Sequence, residues 1–509
     1  MGEGVDAATV RGPSLKGRFA AAIALAIGFY VLAIGLGGGL IALAALMVAN
    51  GRFNVFLLIT LVFLGGSILF AAFPRRRRFE PPGVRLDAGT QPRLFGLIRE
   101  EAEAMGEEPP HEVYATMEVN AAVTQVGARR RVMIVGLPLM HLLSERGFRG
   151  VIAHELGHYA GGDTRLGPWI YRTREQIGRT VEALSEDDGD ETWSQMAVRL
   201  PFIWYGRAFL RITNAISRRQ EFAADAFAAR STGRDAHVEA LRRVHAFAPV
   251  FDAYWQEDVV PVLRDGHRPP LSAGFALVTR EDRMRAAADE YLERELAEGK
   301  TDPYDSHPSL AERIEAVRSL PAGEPDDSPS AAGLLADPAG LEHALTVFLF
   351  GDEAARELSP LDWDDVAGRI YIPFYEALAA RWAWLLEGVT FGTLPHAVAR
   401  MRENLPRVQR EEAELSADEA RELMAATLAA GGVLALRADG WEVSALPGRP
   451  VECVKGELVA VPHLAVGAAR QDDFDRAQYE RDIAELGIAD VRLDAGVPVT
   501  TTEPETATA

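Results

Sequence analysis

Hydrophobic positions are spread unevenly along this chain. Residues 19–51 carry no charge, and after Arg52 the run 53–74 is again free of charge. Each run exceeds the roughly 20 apolar residues that take a helix across the hydrocarbon core of a bilayer. Two transmembrane helices are expected, over residues 19–48 and 55–73, making an N-terminal helical hairpin within residues 19–74. Lys16 and Arg18 ahead of the first run also fit a signal peptide, but such a core spans about 7 to 15 residues and would not be followed by a second span. Arg11, Lys16 and Arg18 precede the first span, Arg52 alone separates the two, and Arg75, Arg76, Arg77 and Arg78 follow the second. The positive-inside rule then places segment 1–18 and everything beyond residue 78 in the cytoplasm of a membrane-anchored protein.

After the spans the pattern changes period. Leu94, Leu97, Ile98 and Ala102 recur at helical spacing over residues 91–105. "VNAAVTQVG" and "RVMIVG", separated by Gly127-Ala128-Arg129, read as a β-hairpin. A helix follows, with Ser144 able to cap its start and Gly161-Gly162 marking its end. Residues 164–184 and 192–216 read as further helices joined by the acidic loop "SEDDGDE". Within the second, "PFIWYGRAFLRI" is flanked and interrupted by Arg199, Arg207 and Arg211, which favours a core or membrane-surface helix over a span. "PAGEPDDSPSAAG" has the composition of a linker, placed at 321–338. Beyond it, helical patterns over 339–358, 369–389 and 416–430 lead into β-prone runs near 432–437, 441–446 and 451–461. A small α+β domain over 339–495 is expected, followed by a disordered tail at 496–509. The fold class is thus mainly α with a small β-sheet.

Composition narrows the function. A chain of 509 residues accommodates two or three domains. Its net charge of −21 repels nucleic acid. With one cysteine, Cys453, no intrachain disulfide can form, so any metal site must draw on histidine and carboxylates. A transporter is disfavoured because neither span carries an ionisable residue.

Chemistry enters at "VIAHELGHYA", residues 151–160. On a helix, residues four apart share a face, so His154 and His158 can converge on one ion. Glu155 lies one residue round, beside the ion, where it can take a proton from a water. In a chain with 11 histidines this spacing arises by chance in roughly one such sequence in fifty, so a third ligand is needed. "SRRQEFAADAFAA" offers Glu221, with Asp225 four residues on. Glu221 could ligate the ion while Asp225 accepts the far N–H of a ligating histidine. The same two acids also read as an i, i+4 pair on a solvated face. His141, His237, His245, His343, His396 and His463 lack a partner at ligand spacing and read as surface or core residues.

Taken in order, "NAAVTQVG" with "RVMIVG", "VIAHELGHYAGGD", "SRRQEFAADAFAA" and "SHPSLAERIEAVR" resemble the membrane-bound zinc metallopeptidases that include HtpX and the CAAX prenyl proteases, over about residues 90–320. The resemblance implies a zincin-like α+β peptidase domain, placed at 79–320. It implies one zinc ion per chain on His154, His158 and Glu221, with Glu155 as general base and Asp225 behind the ligands. It further implies His307 and Arg313 near the site, His307 stabilising the oxyanion and Arg313 orienting the site electrostatically. Taken alone, "HPSLAERI" also reads as a helix with an ordinary salt-bridged arginine. Asn120, Ala121, Ala122, Val123 and Thr124 are implied as the sheet edge along which substrate adds as an extended strand.

The activity expected is that of a zinc endopeptidase acting on protein or peptide substrates, with the lipid bilayer as a further partner. CAAX-type members have many spans, and this chain has two. HtpX-type members, which degrade misfolded or damaged membrane proteins, have further spans between the second histidine and the third ligand, where this chain is charged. The alternative is an inactive membrane-tethered scaffold with a metallopeptidase-like fold. Residues 339–495 match no family on these grounds.

Overall fold

A computed structural model describes residues 15–51, 54–72, 79–127, 130–160, 177, 193–299, 301 and 307–497. Apart from Ile177, which is helical, the expected helix at 164–184, its acidic loop and Gly161-Gly162 lie outside the described residues, as does the expected tail from residue 498 on. The chain divides into two compact units, 1–245 with 290–337, and 246–289 with 338–509.

In the first unit, α1 (Leu15–Ala33) passes through a π-helical turn at Ile34–Gly38 into α2 (Gly39–Ala49). The stretch Ile23–Ala49, 27 residues, is long and apolar enough to cross a membrane. The next helix, α3 (Val55–Ala72), has its apolar part over Val55–Phe70. That part reaches about 24 Å at 1.5 Å per residue, short of a hydrocarbon core of about 30 Å. Among the described residues one apolar helix is of spanning length by itself, where two were expected, and α3 packs against it as the shorter member of a helical pair. The two helices approach closely because both are glycine at the crossing: a Cβ on Gly37 would meet the Gly65 carbonyl at 2.8 Å.

The sheet is β1 (Val84–Leu86), β2 (Glu112–Thr116), β3 (Ala121–Val126) and β4 (Arg130–Gly136), in the spatial order β1-β2-β4-β3. β3 and β4 form the expected antiparallel hairpin, with Gly127 at φ +68°, while β2 pairs parallel with β4. This order leaves β3 as an edge. Between β1 and β2 runs α4 (Pro92–Ala104), burying Leu94, Leu97, Ile98 and Ala102, the face its spacing predicts.

After the sheet come the short α5 (Leu137–Leu142) and α6 (Glu145–Ala160). Ser144 caps α6, its Oγ accepting from the Gly147 N–H at 2.9 Å. α6 packs along α7 (Trp193–Thr232), a single helix of 40 residues. They approach closely at Gly157, where a Cβ would lie 3.1 Å from the Ala224 Cα. Buried Glu101 of α4 ties the layer together by accepting from Arg149 of α6 and Ser231 of α7, each at 2.7 Å. Near its other end α7 packs on α1, where Phe209 joins Ala26, Phe29 and Ala33 in a buried cluster and the Tyr205 hydroxyl donates to the Leu25 carbonyl. "PFIWYGRAFLRI" is thus a helix seated against the apolar helix.

α7 ends at Gly233 (φ +94°), and α8 (Arg234–Tyr254) starts there. The stretch read as a linker lies on this unit as an ordered strap. Its carbonyls at Pro321, Ala322 and Pro329 accept from the N–H groups of Arg234, Asp235 and Glu145, satisfying the open N-termini of α8 and α6.

The second unit centres on the helix Ala417–Ala438, started by a full capping box of Ser416 and Glu419. Thirteen of its residues are buried, and an unbroken run from Thr427 to Leu436 faces protein on every side. The strand expected at 432–437 is therefore helix. Gly431 and Gly432 are points of close packing: Cβ atoms there would meet Leu386 at 2.7 Å and Pro462 at 3.0 Å. The remaining β-prone runs form an antiparallel sheet of β5 (Glu442–Ser444), β6 (Glu452–Lys455) and β7 (Leu458–Ala460). Asp258, in a π-helical turn, accepts from the Gly448 N–H at 3.2 Å, and burial pushes its carboxyl up to about 6.

Candidate metal centre

The close approach of Gly157 and Ala224 sets the His154–His158 face of α6 against the Glu221–Asp225 face of α7. The His154 Nε2 lies 3.4 Å from Glu221 Oε2, and the His158 Nε2 lies 3.8 Å from Glu221 Oε1. One ligand atom from each of the three falls within 4.8 Å of the others. The two imidazoles stand edge to face, centroids 4.8 Å apart.

Asp225 is fully buried behind this triad. Its Oδ1 is 3.0 Å from His154 Nδ1 and accepts from Arg313 at 2.7 Å, while Oδ2 accepts from Arg313 Nε at 3.0 Å. Asp225 holds the Nδ1 proton, so a metal on the Glu221 side would displace the other ring proton and take His154 Nε2. Arg313 stands on α9 (Leu310–Val317), capped by Ser309, and meets Asp225 as a fork. Its contact is with Asp225, at 2.7 Å, more closely than with Glu221, at 3.8 Å.

Electrostatics suit a cation. Burial raises the Glu221 carboxyl, but hydrogen bonds from His154 and His307 outweigh this and hold it well below the usual range. Asp225 is likewise held ionised by His154, His237 and Arg313 against the cost of burial. For His154, burial favours the neutral ring, yet Asp225 and Glu221 reverse this and push it up to about 9. Burial and the His154 charge press His158 down to about 4, leaving it neutral with a free lone pair. Two imidazoles and one carboxylate, with an ionised acid behind, are a donor set that fits zinc.

Glu155 lies beside the triad, and its Oε2 accepts from the Val123 N–H at 3.1 Å. Burial pushes its carboxyl up; the His154 charge and the Val123 N–H oppose. The edge strand at 120–124 and the carboxylate of Glu155 are thus adjacent. His307 is exposed, with Nδ1 3.1 Å from Glu221 Oε1. His154, Glu155, His158, Glu221, Asp225, His307, Arg313 and the Val123 N–H meet here.

One residue that sequence reasoning set aside also arrives. His237 of α8, 1 % exposed, places Nε2 3.1 Å from Asp225 Oδ1, and its ring stacks on His154 at 6.3 Å and 22°. No ligand spacing signals it. The available hint is the break at Gly233, which lets α8 turn back beside α7.

Residues 90–320 match Peptidase family M48. Protease HtpX of Glaesserella parasuis serovar 5 (strain SH0165) is 23% identical over 290 residues, covering 53% of this chain and 90% of that protein. The HtpX homolog of Nitrosomonas eutropha (strain DSM 101675 / C91 / Nm57) is 24% identical over 284 residues, covering 53% and 87%. A crystal structure of S. mikatae Ste24p aligns over 60% of this chain and 66% of that one, at 14% identity and a TM-score of 0.25, too loose to bear on the fold. Fold, site and matches define a metallopeptidase, a hydrolase of peptide bonds. The chain is thus similar to peptidase family M48 over residues 90–320, and distantly similar to the HtpX proteases.

Proposed function

We propose that this chain is a membrane-anchored zinc endopeptidase that cleaves segments of membrane proteins close to the bilayer, in the service of quality control. The observation that carries the chemistry is the convergence of His154, His158 and Glu221 within 4.8 Å, with Glu155 between that triad and the edge strand β3. One zinc per chain on these three side chains would supply a Lewis acid for the scissile carbonyl and a water of lowered pKa. Glu155 takes the proton of the attacking water and later delivers it to the leaving amine. Arg313 acts through Asp225, keeping that carboxylate ionised so that His154 presents Nε2. His307, exposed beside Glu221, donates toward the developing oxyanion.

Substrate adds as an extended strand along Asn120, Ala121, Ala122, Val123 and Thr124. The Asn120 carbonyl pairs inward with the Gly136 N–H, whereas the Val123 N–H faces away from β4. Main-chain pairing of this kind tolerates many sequences, as disposal of damaged proteins requires. Distance supports the substrate class. Phe209 packs on the apolar helix, and Glu221 follows twelve residues later on the same helix, about 18 Å along its axis. A two-span anchor over 19–74 with the peptidase domain, 79–320, and the domain at 339–495 in the cytoplasm follows from the basic flanks of the apolar runs.

The test is casein cleavage by detergent-purified protein, comparing wild type, Glu155→Gln and chelator-treated samples, with zinc quantified in each. Cleavage lost in both treatments, while Glu155→Gln retains zinc, is the expected result. Stoichiometric zinc without cleavage in wild type would replace this proposal with a non-cleaving scaffold.

A further inference from the structure

We infer that His237 is a positioning residue of the metal centre, holding Asp225 in the rotation that presents His154 to the ion. The inference rests on the zinc reading of His154, His158 and Glu221.

Asp225 Oδ1 faces three donors: His154 Nδ1 at 3.0 Å, Arg313 at 2.7 Å and His237 Nε2 at 3.1 Å. With Arg313 Nε on Oδ2, the carboxylate meets four donors, three of them crowded on Oδ1. They arrive from separate elements, α6, α8 and α9, so the carboxylate of α7 is clamped from three directions. Arg313 fixes its plane as a fork. His237 and His154 then share one oxygen, their rings close to parallel, and the imidazole of His237 backs that of His154. Removing the His237 donor frees Oδ1 to follow Arg313 and weakens its hold on His154.

A second metal site is the competing use of these groups, since His154, Asp225 and His237 also bring ligand atoms within 4.8 Å of one another. The guanidinium of Arg313 decides against it. It already holds both oxygens of Asp225, and its positive charge stands where a cation would have to approach. The other His237 nitrogen, Nδ1, is buried with no hydrogen-bond partner and lies toward Gly150, 3.7 Å from where a Cβ of that glycine would be. A ring kept buried with one nitrogen unpaired is retained for what the other nitrogen does. That is to donate to Asp225.

The experiment compares three variants of the full chain in detergent: His237→Met and His237→Leu, which lack a donor, and His237→Gln, whose amide restores one. Folding is checked on the metal-free forms by circular dichroism. The readouts are zinc affinity by chelator competition and the visible d–d spectrum of the cobalt-substituted protein, which reports ligand geometry. The expected result is about a tenfold loss of zinc affinity, the low end for outer-shell partners, and a shifted cobalt spectrum in the donor-less variant that folds. His237→Gln recovers both. Equal affinities and spectra in all variants, or equal losses in all, would overturn the assignment. His158→Ala separates the two levels: if cobalt binding to wild type is indifferent to that change, the zinc reading itself fails, not the role of His237.

Discussion

The α6–α7 contact and the helix Ala417–Ala438 solve the same packing problem in opposite ways. Both bring backbones close through small residues, Gly157 against Ala224 in one and Gly431 with Gly432 in the other. The first uses the space gained to bury two imidazoles, two carboxylates and a guanidinium. The second fills it with the apolar side chains of Leu386, Pro462 and Phe391. A buried ionic cluster holds together only while each charge has its partner, and removing one leaves the others uncompensated. An apolar helix has no such dependence and responds to volume alone. The contrast separates the part of the chain built for chemistry from the part built for packing.

Replacing Glu155 by Gln tests this most sharply. Loss of a general base lowers kcat by about 10²- to 10⁴-fold. Zinc content and thermal midpoint should stay at wild-type values, because Glu155 lies beside the ligand triad. Asp225→Ala reverses the pattern. Arg313 and His154 lose their shared partner, at a cost of about 3–5 kcal/mol in denaturant unfolding, and zinc affinity falls by about 10- to 100-fold. Unchanged stability in that variant would mean that the ionic cluster does not hold α6, α7 and α9 together.

Gly431→Val probes the packing side. Its methyls meet Leu386 and the Leu493 carbonyl, and overpacking of this kind costs about 1–3 kcal/mol, read in denaturant unfolding, with zinc affinity unaltered. The smallest effect is expected at Asp258, the one strongly shifted carboxylate described in the second unit. Burial raises its pKa from 3.8 to about 6, so the folded chain binds this proton more tightly than the unfolded chain. Its contribution is fully present below about pH 4 and is lost as pH rises through about 6. Asp258→Asn, whose amide oxygen still accepts from Gly448, should raise stability at pH 7 by about 1–2 kcal/mol and flatten that pH dependence. A variant less stable than wild type at pH 7 would refute this.

Local signals were readable wherever neighbours in sequence do the work. The apolar face of α4, the hairpin of β3 and β4 and the Ser144 cap all depend on residues within a few positions of one another. The run 432–437 was misread because a short apolar stretch after two glycines has the same pattern in a strand and in a buried helix. The stretch expected as a linker, 321–338, has Pro, Gly and Ser content that disfavours long regular elements, and its order comes from backbone bonds to helix starts some 90 and 180 residues away in sequence. His237 had no local signal, since its partner sits on another helix.

By itself, the sequence determined that His154 and His158 share a helix face with Glu155 adjacent, because helical geometry makes residues four apart neighbours. It likewise determined an N-terminal helix too apolar for water. Only the tertiary structure decided that Glu221 and Asp225 face that pair rather than solvent, and that Arg313 and His237 clamp Asp225. The strap's order was decided there too. Those contacts join distant segments, and they exist only where the interior removes charges from water and leaves each group no partner but the others.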